Sequence, residues 1–152
     1  MTRQRLHALR YSNDDVEAIT ELVALHLRFH GYEAGWTDSA VRRYVHDAGP
    51  YLAELNVLTR CDCTTRNENK ALILSRRMDD LEVRIADLAA REELKAIRPE
   101  MDGIDVMAHL GLQPGPLVGA AMKFLLEVRL EDGLLGPDAV RARLDSWWAE
   151  QQ

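Results

Sequence analysis

Residues 74–88 read LSRRMDDLEVRIADL, and this stretch decides the fold class of the chain. Its apolar side chains recur in alternating steps of four and three residues, at Leu74, Met78, Leu81, Ile85 and Leu88. That spacing predicts a helix with one apolar stripe, which packs against a neighbouring element as in a heptad pattern. We expect the helix to run from about residue 68 to about residue 97, roughly 45 Å at 1.5 Å per residue.

Helix boundaries are also visible on both sides of this stretch. Ser12 followed by Asp15 is typical of a capping box, and Thr37 is a favourable N-cap for the next helix. Gly31 and Gly49 stand where helices commonly end. We expect further helices over about residues 2–9, 13–30, 38–48, 51–59, 104–110, 116–131 and 137–149. No segment alternates with period two, so the sequence predicts an all-α fold of about eight helices.

The composition predicts a globular protein rather than a disordered or membrane-spanning one. Of the 152 residues, 47% are hydrophobic and 29% are charged. No apolar run reaches the length of a membrane helix, and the first residues lack the apolar stretch of a secretory signal. Cys61 and Cys63 are too close in sequence for an unstrained disulfide, so reduced thiols are expected. These features favour a cytoplasmic protein without a membrane partner.

The polar segment near the middle of the chain is the first candidate binding site. The net charge of -6 opposes binding to a polyanion, but the whole acidic excess lies in residues 78–152. Arg60, Arg66 and Lys70 lie in the first half, and their charged groups pair well with phosphate. The alternative is an ordinary turn in which these donors bind helix ends and nearby acids.

A second candidate is the link at residues 110–119, which reads LGLQPGPLVG. Backbone N–H groups near Gly115 and the following helix N-terminus favour an anion, and Lys123 lies about two turns further on. The alternative is a tight turn in which Gly119 lets two helices pack closely.

Two histidines suggest a metal site. His26 and His30 are four residues apart, so they share one helix face and can bind a metal together. Alternatively, one histidine packs in the core while the other faces water. Asp62 can join such a site or simply cap a helix. Zinc at Cys61 and Cys63 is disfavoured because no second ligand pair has suitable spacing.

No complete catalytic site is recognisable in the sequence. The glycine-rich phosphate-binding motifs and the serine nucleophile elbow are absent. Nucleotidyl transfer by two metal ions needs paired carboxylates on a rigid support, for which we predict no strand.

Four segments, taken in order, resemble one protein family. They are LVALHLRFHGY at residues 22–32, WTDSAVRRYV at 36–45, LTRCDCTTRN at 58–67, and PGPLVG at 114–119 running into MKFLLE at 122–127. They look like the C-terminal half of the bacterial CCA-adding tRNA nucleotidyltransferases and poly(A) polymerases, in the actinobacterial form with an HD domain. The resemblance covers essentially the whole chain.

The resemblance implies a supporting role. In this family a head carries the metal-binding carboxylates and a neck selects the nucleotide, and neither has a match here. The implied partners are tRNA and the missing head and neck of the same enzyme. The full-length parent would use CTP, ATP and Mg²⁺, whereas this chain alone would bind no cofactor. The implied parts are a partial HD-like domain at residues 1–67, a long connecting helix at 68–98 and a C-terminal helical tail at 99–152.

The resemblance also implies an incomplete metal site. His26 is similar to the later histidine of the HD metal set and Asp62 to its closing aspartate, while the earlier ligands have no match. A truncated HD domain would leave Val16, Ile19 and Val23 uncovered, so we expect the chain to associate with itself as a homodimer.

Two other functions stay open. One is an HD-type phosphohydrolase, which needs a complete His, His-Asp, Asp set. The only His-Asp pair, His46-Asp47, follows His26 and matches a surface position of the family. The other is a helical interaction domain without RNA binding.

Overall fold

The computed structural model of the protein describes residues 1–62, 67–94 and 97–151, and only the backbone of residues 33 and 34. These residues form eight α-helices and no β-strand, which confirms the predicted all-α fold. None of the described helices is long and apolar enough to cross a membrane. The helices are α1 (Thr2–Ala8), α2 (Asn13–Leu25), α3 (Asp38–Ala48), α4 (Leu52–Cys61), α5 (Glu68–Arg91), α6 (Gly103–Leu110), α7 (Pro116–Asp132) and α8 (Pro137–Ala149). Short 3₁₀ segments at His26–Ala34 and Gly49–Tyr51 join α2 to α3 and α3 to α4.

The predicted N-caps of α2 and α3 are confirmed. The Ser12 hydroxyl oxygen accepts a hydrogen bond from the Asp15 backbone N–H at 3.1 Å and donates to the Asp15 carboxylate at 2.6 Å. The Thr37 hydroxyl oxygen accepts from the Ala40 N–H at 3.2 Å. In each cap the hydroxyl oxygen accepts a hydrogen bond from a backbone N–H of the first helical turn, which has no partner within the helix. Such a hydrogen bond stabilises a helix by about 1 kcal/mol.

The second helix ends earlier than the sequence predicts. α2 stops at Leu25, and the chain continues through Gly31 in a 3₁₀ conformation. A 3₁₀ turn aligns residues three apart, and Phe29 and Tyr32 stack with their ring centroids 5.6 Å apart. Both rings are buried, with 4% and 2% of their surface exposed. Burial of the two rings therefore overrides the expected glycine stop at Gly31.

The long helix is also shorter than predicted. α5 ends at Arg91 after 24 residues, not near residue 97. Glu92 leaves the helix with φ −142° and ψ 150°, an extended conformation. Glutamate is a good helix former, so intrinsic propensity does not explain the end. The extended backbone instead carries the Glu92 carboxylate into a buried ion-pair cluster, described below.

The apolar stripe of α5 packs against the first half of the chain, as predicted. Met78, Leu81 and Leu88 are fully buried, and Leu74 and Ile85 are partly buried beside them. The first core also contains Phe29, Tyr32, Val41, Tyr44, Val45, Ala48, Leu55 and Leu94. The stripe is therefore buried inside the chain itself.

Part of the expected bare surface of α2 is covered as well. Val16 has only 2% of its surface exposed, so the expectation of a bare Val16 is wrong. Val23 and Leu27 remain exposed one turn apart, at 43% and 59%. The homodimer stays a prediction, and this pair is the surface on which it now depends.

A second core lies in the last third of the chain. It consists of Met101, Val106, Ala121, Leu125, Val140 and Leu144. Phe124 and Trp147 stack at its edge, with ring centroids 5.4 Å apart. Contacts between α3 and α7 bring the second core against the first. The domain boundaries near residues 67 and 98 stay predictions, although α5 contributes directly to the first core.

Candidate nucleic-acid interface

The Arg60 guanidinium, at the end of α4, is already paired with two carboxylates of α5. Its Nη2 atom lies 2.8 Å from Asp79 Oδ1 and 2.7 Å from Glu82 Oε2. Hydrogen bonds to Glu82 and then Asp79 raise the pKa of Arg60 above its ordinary value. A phosphate group would therefore have to displace these acids. The phosphate contact of Arg60 stays a prediction. In the structure the positive charge of Arg60 is paired with Asp79 and Glu82.

The start of α5 places Lys70 in solvent. Asn67 caps this helix, since its side-chain oxygen accepts from the Lys70 backbone N–H at 3.2 Å. The Lys70 side chain is exposed, as a phosphate-binding lysine must be. Arg66 and Cys63 lie outside the described residues. Cys61 is exposed and takes part in no disulfide among the described residues.

The glycine link before α7 has an ordinary geometry. Gly115 precedes Pro116, the first residue of α7, and its carbonyl accepts from Val118 N at 3.1 Å. A Cβ added at Gly119 would meet nothing within 4 Å, so the alternative in which Gly119 allows close helix packing is wrong. Lys123 is exposed on α7. Anion binding at Gly115 and Lys123 stays a prediction.

The proposed metal ligands sit at exposed or partly exposed positions. His26 opens the first 3₁₀ segment, and its Nδ1 donates to the Val23 carbonyl at 2.8 Å. Asp62 is exposed at the C-terminal end of α4. Within the described ranges, no three His, Cys, Asp or Glu side chains come together in a way that would hold a metal ion. In that part of the chain the donor set falls short of the three or four ligands of a zinc-type site.

The His46-Asp47 pair lies at the surface of α3. Asp47 forms an ion pair with Arg28, and its carboxylate lies 3.2 Å from His46 Nδ1. Burial alone would raise the pKa of Asp47, but the hydrogen bonds from Arg28 and His46 outweigh it and hold that pKa below its ordinary value. His46 and Asp47 are therefore part of a local network of side chains at the surface, together with Arg28.

The most strongly buried charges form a cluster that the sequence did not predict. Arg42 on α3 and Arg129 on α7 have only 6% and 4% of their surface exposed. Glu92 lies between them. Its Oε2 atom is 3.1 Å from Arg42 Nε and 2.6 Å from Arg129 Nη1, and its Oε1 atom is 2.9 Å from Arg42 Nη2. This ion-pair cluster joins α3, α7 and the residue that directly follows α5.

The third nitrogen of the Arg42 guanidinium is also hydrogen-bonded. Arg42 Nη1 donates to the Glu131 carbonyl at 3.1 Å, near the C-terminal end of α7. Burial tends to raise the pKa of Glu92, but the hydrogen bonds from Arg42 and Arg129 outweigh it and lower that pKa. Removing one partner from such a group leaves a charge buried without compensation.

Gly133 closes the space beside this cluster. Its φ is +81°, and an added Cβ would lie 2.6 Å from Arg42 Nη2 and 3.1 Å from Glu92 Oε1. Glycine is therefore required here both for the backbone conformation and for the close approach of the guanidinium.

One sequence signal, which our sequence analysis did not use, could have indicated the cluster. Arg129 follows Leu125 by four residues, on the same buried stripe of α7. An arginine on an apolar stripe needs a buried carboxylate. The sequence alone does not identify this carboxylate as Glu92, because Glu92 lies 37 residues from Arg129 along the chain.

The fold and site thus define an all-helical structure, over the described residues, in which a buried ion-pair cluster joins one helical core to another. The exposed Lys70 and Lys123 lie on the surface of this framework.

Comparisons with known proteins extend over nearly the entire chain. It is 30% identical over 150 residues to an A-adding tRNA nucleotidyltransferase of Deinococcus radiodurans, a match that covers 99% of this chain and 34% of that enzyme. It is 31% identical over 149 residues to a CC-adding tRNA nucleotidyltransferase of Thermus thermophilus, covering 97% of this chain and 31% of that enzyme. No protein-family profile and no solved structure matches the chain.

These matches confirm the resemblance seen in the sequence: over nearly its whole length the chain is similar to tRNA nucleotidyltransferases. It spans about one third of the length of the two enzymes.

Proposed function

We propose that this chain is the C-terminal helical part of a cytoplasmic tRNA nucleotidyltransferase, in the CCA-adding and poly(A) polymerase family with an HD domain. In this role it supports the parts that carry the chemistry and helps to hold tRNA. The observation that carries the proposal is the similarity of nearly the whole chain to about one third of an A-adding enzyme and of a CC-adding enzyme. A match to both enzymes is expected of a part shared between them rather than of a part that selects the nucleotide.

The architecture suits a rigid support. Arg42, Glu92 and Arg129 tie α3, the end of α5 and α7 together in a buried cluster. Catalysis at a tRNA 3′ end requires the RNA to be held at a fixed distance from the reacting nucleotide. Contacts from a rigid framework to the phosphate backbone set that distance without reading the sequence.

The catalytic half of the proposal is tested by nucleotide addition. The chain is incubated with tRNA that lacks its 3′ end, labelled CTP and ATP, and Mg²⁺. We expect no lengthening of the RNA, since the carboxylates and nucleotide-selecting groups belong to the head and neck. Lengthening above a heat-inactivated sample would show a catalytic site in this chain and overturn the proposal.

The RNA-holding half is tested by a gel shift with two forms of one tRNA, with and without the terminal CCA. We expect weak, salt-sensitive binding that is equal for both forms, because the contacts lie on the folded body of the tRNA. Absence of binding at low salt would instead support the helical interaction domain. A strong preference for one form would place nucleotide recognition in this chain.

A further inference from the structure

The first helix and the residues after it carry an unbalanced positive charge. Arg3, Arg5, His7 and Arg10 are all exposed. No acidic residue occurs in residues 1–13. Among the described residues, no carboxylate lies within ion-pair distance of Arg3, Arg5 or Arg10. This surface differs from that of Arg60, whose guanidinium is held by two acids.

Arg10 adopts a backbone conformation that arginine disfavours. Its φ is +60°, the only positive φ of a non-glycine residue in the described part of the chain. The Arg10 N–H donates to the His7 carbonyl at 3.0 Å, and the Tyr11 N–H donates to the Leu6 carbonyl at 3.1 Å. These two bonds form a Schellman motif that ends α1, and glycine is the usual residue at the position of Arg10. The arginine is therefore placed there at a conformational cost.

The neighbouring side chains complete a surface suited to RNA. No residue of α1 is buried, and Tyr11 is 48% exposed directly after Arg10. An exposed aromatic ring beside cations gives a base a face to stack on while the cations pair with phosphates. The nearest acids in sequence begin α2, and Asp15 among them is held by the Ser12 hydroxyl.

We infer that the α1 surface, defined as Arg3, Arg5, His7, Arg10 and Tyr11, contacts the phosphate backbone of tRNA. The inference rests on the proposed RNA-holding function and moves its main contact away from the Arg60 segment. Cations without a competing carboxylate can neutralise RNA phosphates and so release the counterions condensed on the RNA, whereas Arg60 must first break its ion pairs with Asp79 and Glu82.

The main test is filter binding of tRNA by the whole chain over a range of salt concentrations. The α1 variant carries Arg3→Gln, Arg5→Gln and Arg10→Gln. The matched control carries Arg91→Gln, Arg98→Gln and Arg141→Gln, which removes the same charge from exposed positions elsewhere. Loss of three phosphate contacts should weaken binding about tenfold or more at low salt, and make the log–log salt slope shallower by about 2 to 3. The control should change affinity by less than about twofold.

A single replacement distinguishes the RNA contact of the Arg10 side chain from the role of its backbone in ending α1. Glycine adopts φ +60° freely, so Arg10→Gly should keep or raise the melting temperature while it weakens RNA binding. Weaker binding with a lower melting temperature would assign Arg10 a structural role and count against the inference.

The outcomes distinguish this inference from the proposed function. If the wild type binds tRNA and the α1 variant binds equally well, the α1 contact is wrong and the RNA-holding role stands. If the control loses as much affinity as the α1 variant, binding follows net charge, and the inference is overturned. If the wild type binds no tRNA at all, both fall. Binding to vesicles of phosphatidylserine and phosphatidylcholine that depends on the α1 arginines, with RNA binding unchanged, would make the surface a membrane contact instead.

Discussion

Arg42 and Glu92 form a two-pronged ion pair in which Nε lies 3.1 Å from Oε2 and Nη2 lies 2.9 Å from Oε1. The side chains are only 7% and 10% exposed. The pair connects α3 to the end of α5, and Arg129 extends it to α7. It is a buried contact between charged groups that joins the first core to the second.

Glu92→Gln should destabilise the protein strongly. The substitution removes the charge that compensates two buried guanidinium groups, and breaking such a pair costs about 3–5 kcal/mol. The neighbouring Glu93 is exposed, so Glu93→Gln is the matched control and should change the free energy of unfolding by less than about 0.5 kcal/mol. Urea titrations of the three proteins measure both values. Equal midpoints for the two variants would contradict a stabilising role for the cluster.

The Glu92 carboxylate should also make the free energy of unfolding depend on pH. Because the pKa of Glu92 is lowered in the folded state, its contribution is fully present above the ordinary pKa of 4.5. The contribution is lost as the pH falls below that value, through the lowered pKa of the folded state. The free energy of unfolding of the wild type should therefore fall more steeply below about pH 4.5 than that of Glu92→Gln. Parallel curves in urea titrations across this pH range would show that Glu92 has no such linkage.

Replacing Gly133 and Gly119 with alanine should change the stability of the protein in opposite directions. Gly133→Ala forces a Cβ to within 2.6 Å of Arg42 Nη2 at a residue whose φ is +81°, so we expect a loss of about 1–3 kcal/mol. Gly119→Ala lies inside α7, where an added Cβ meets nothing within 4 Å. It should stabilise the protein by about 0.5–1 kcal/mol through helix propensity. Thermal unfolding of both variants gives the signs, and a destabilising Gly119→Ala would mean that the space beside α7 is filled.

Tyr44 should be the tyrosine that ionises near pH 12. Burial raises its pKa to about 12, and its hydroxyl donates to Asn56 Oδ1 at 2.9 Å. Since the folded state favours the neutral phenol, this stabilisation is complete below pH 10 and is lost as the pH rises towards about 12. Alkaline titration of tyrosinate absorbance should lose its late component in Tyr44→Phe and keep it in the control Tyr11→Phe. A late component that survives in Tyr44→Phe would assign it to another tyrosine.

Self-association, if it occurs through the exposed strip of α2 and the following 3₁₀ segment, should depend on Val23 and Leu27. These apolar side chains are 43% and 59% exposed and lie four residues apart, on either side of the end of α2 at Leu25. The double variant Val23→Glu with Leu27→Glu should sediment as a monomer at concentrations where the wild type forms dimers. Val83→Glu, at a 59% exposed position of α5, is the control and should leave the dimer intact. A wild type that stays monomeric would show that the strip is not a dimer surface.

The sequence by itself determined the helices and most of their beginnings. Caps such as Ser12 and Thr37, and the stripe from Leu74 to Leu88, depend on residues within about four positions of each other. Such relationships are visible in the order of the residues. For the same reason the all-α class followed from periodicity, and the family resemblance followed from segments in a fixed order.

Only the tertiary structure decided where α2 and α5 end, and which charges are free. α5 stops at Arg91 because Glu92 pairs with Arg42, 50 residues away in sequence. The same long-range pairing separates Arg60, held by acids of α5, from the arginines of α1, which no carboxylate of the described chain approaches. A sequence gives the charge of each residue, but the charge that remains available to a ligand depends on which side chains the fold brings together.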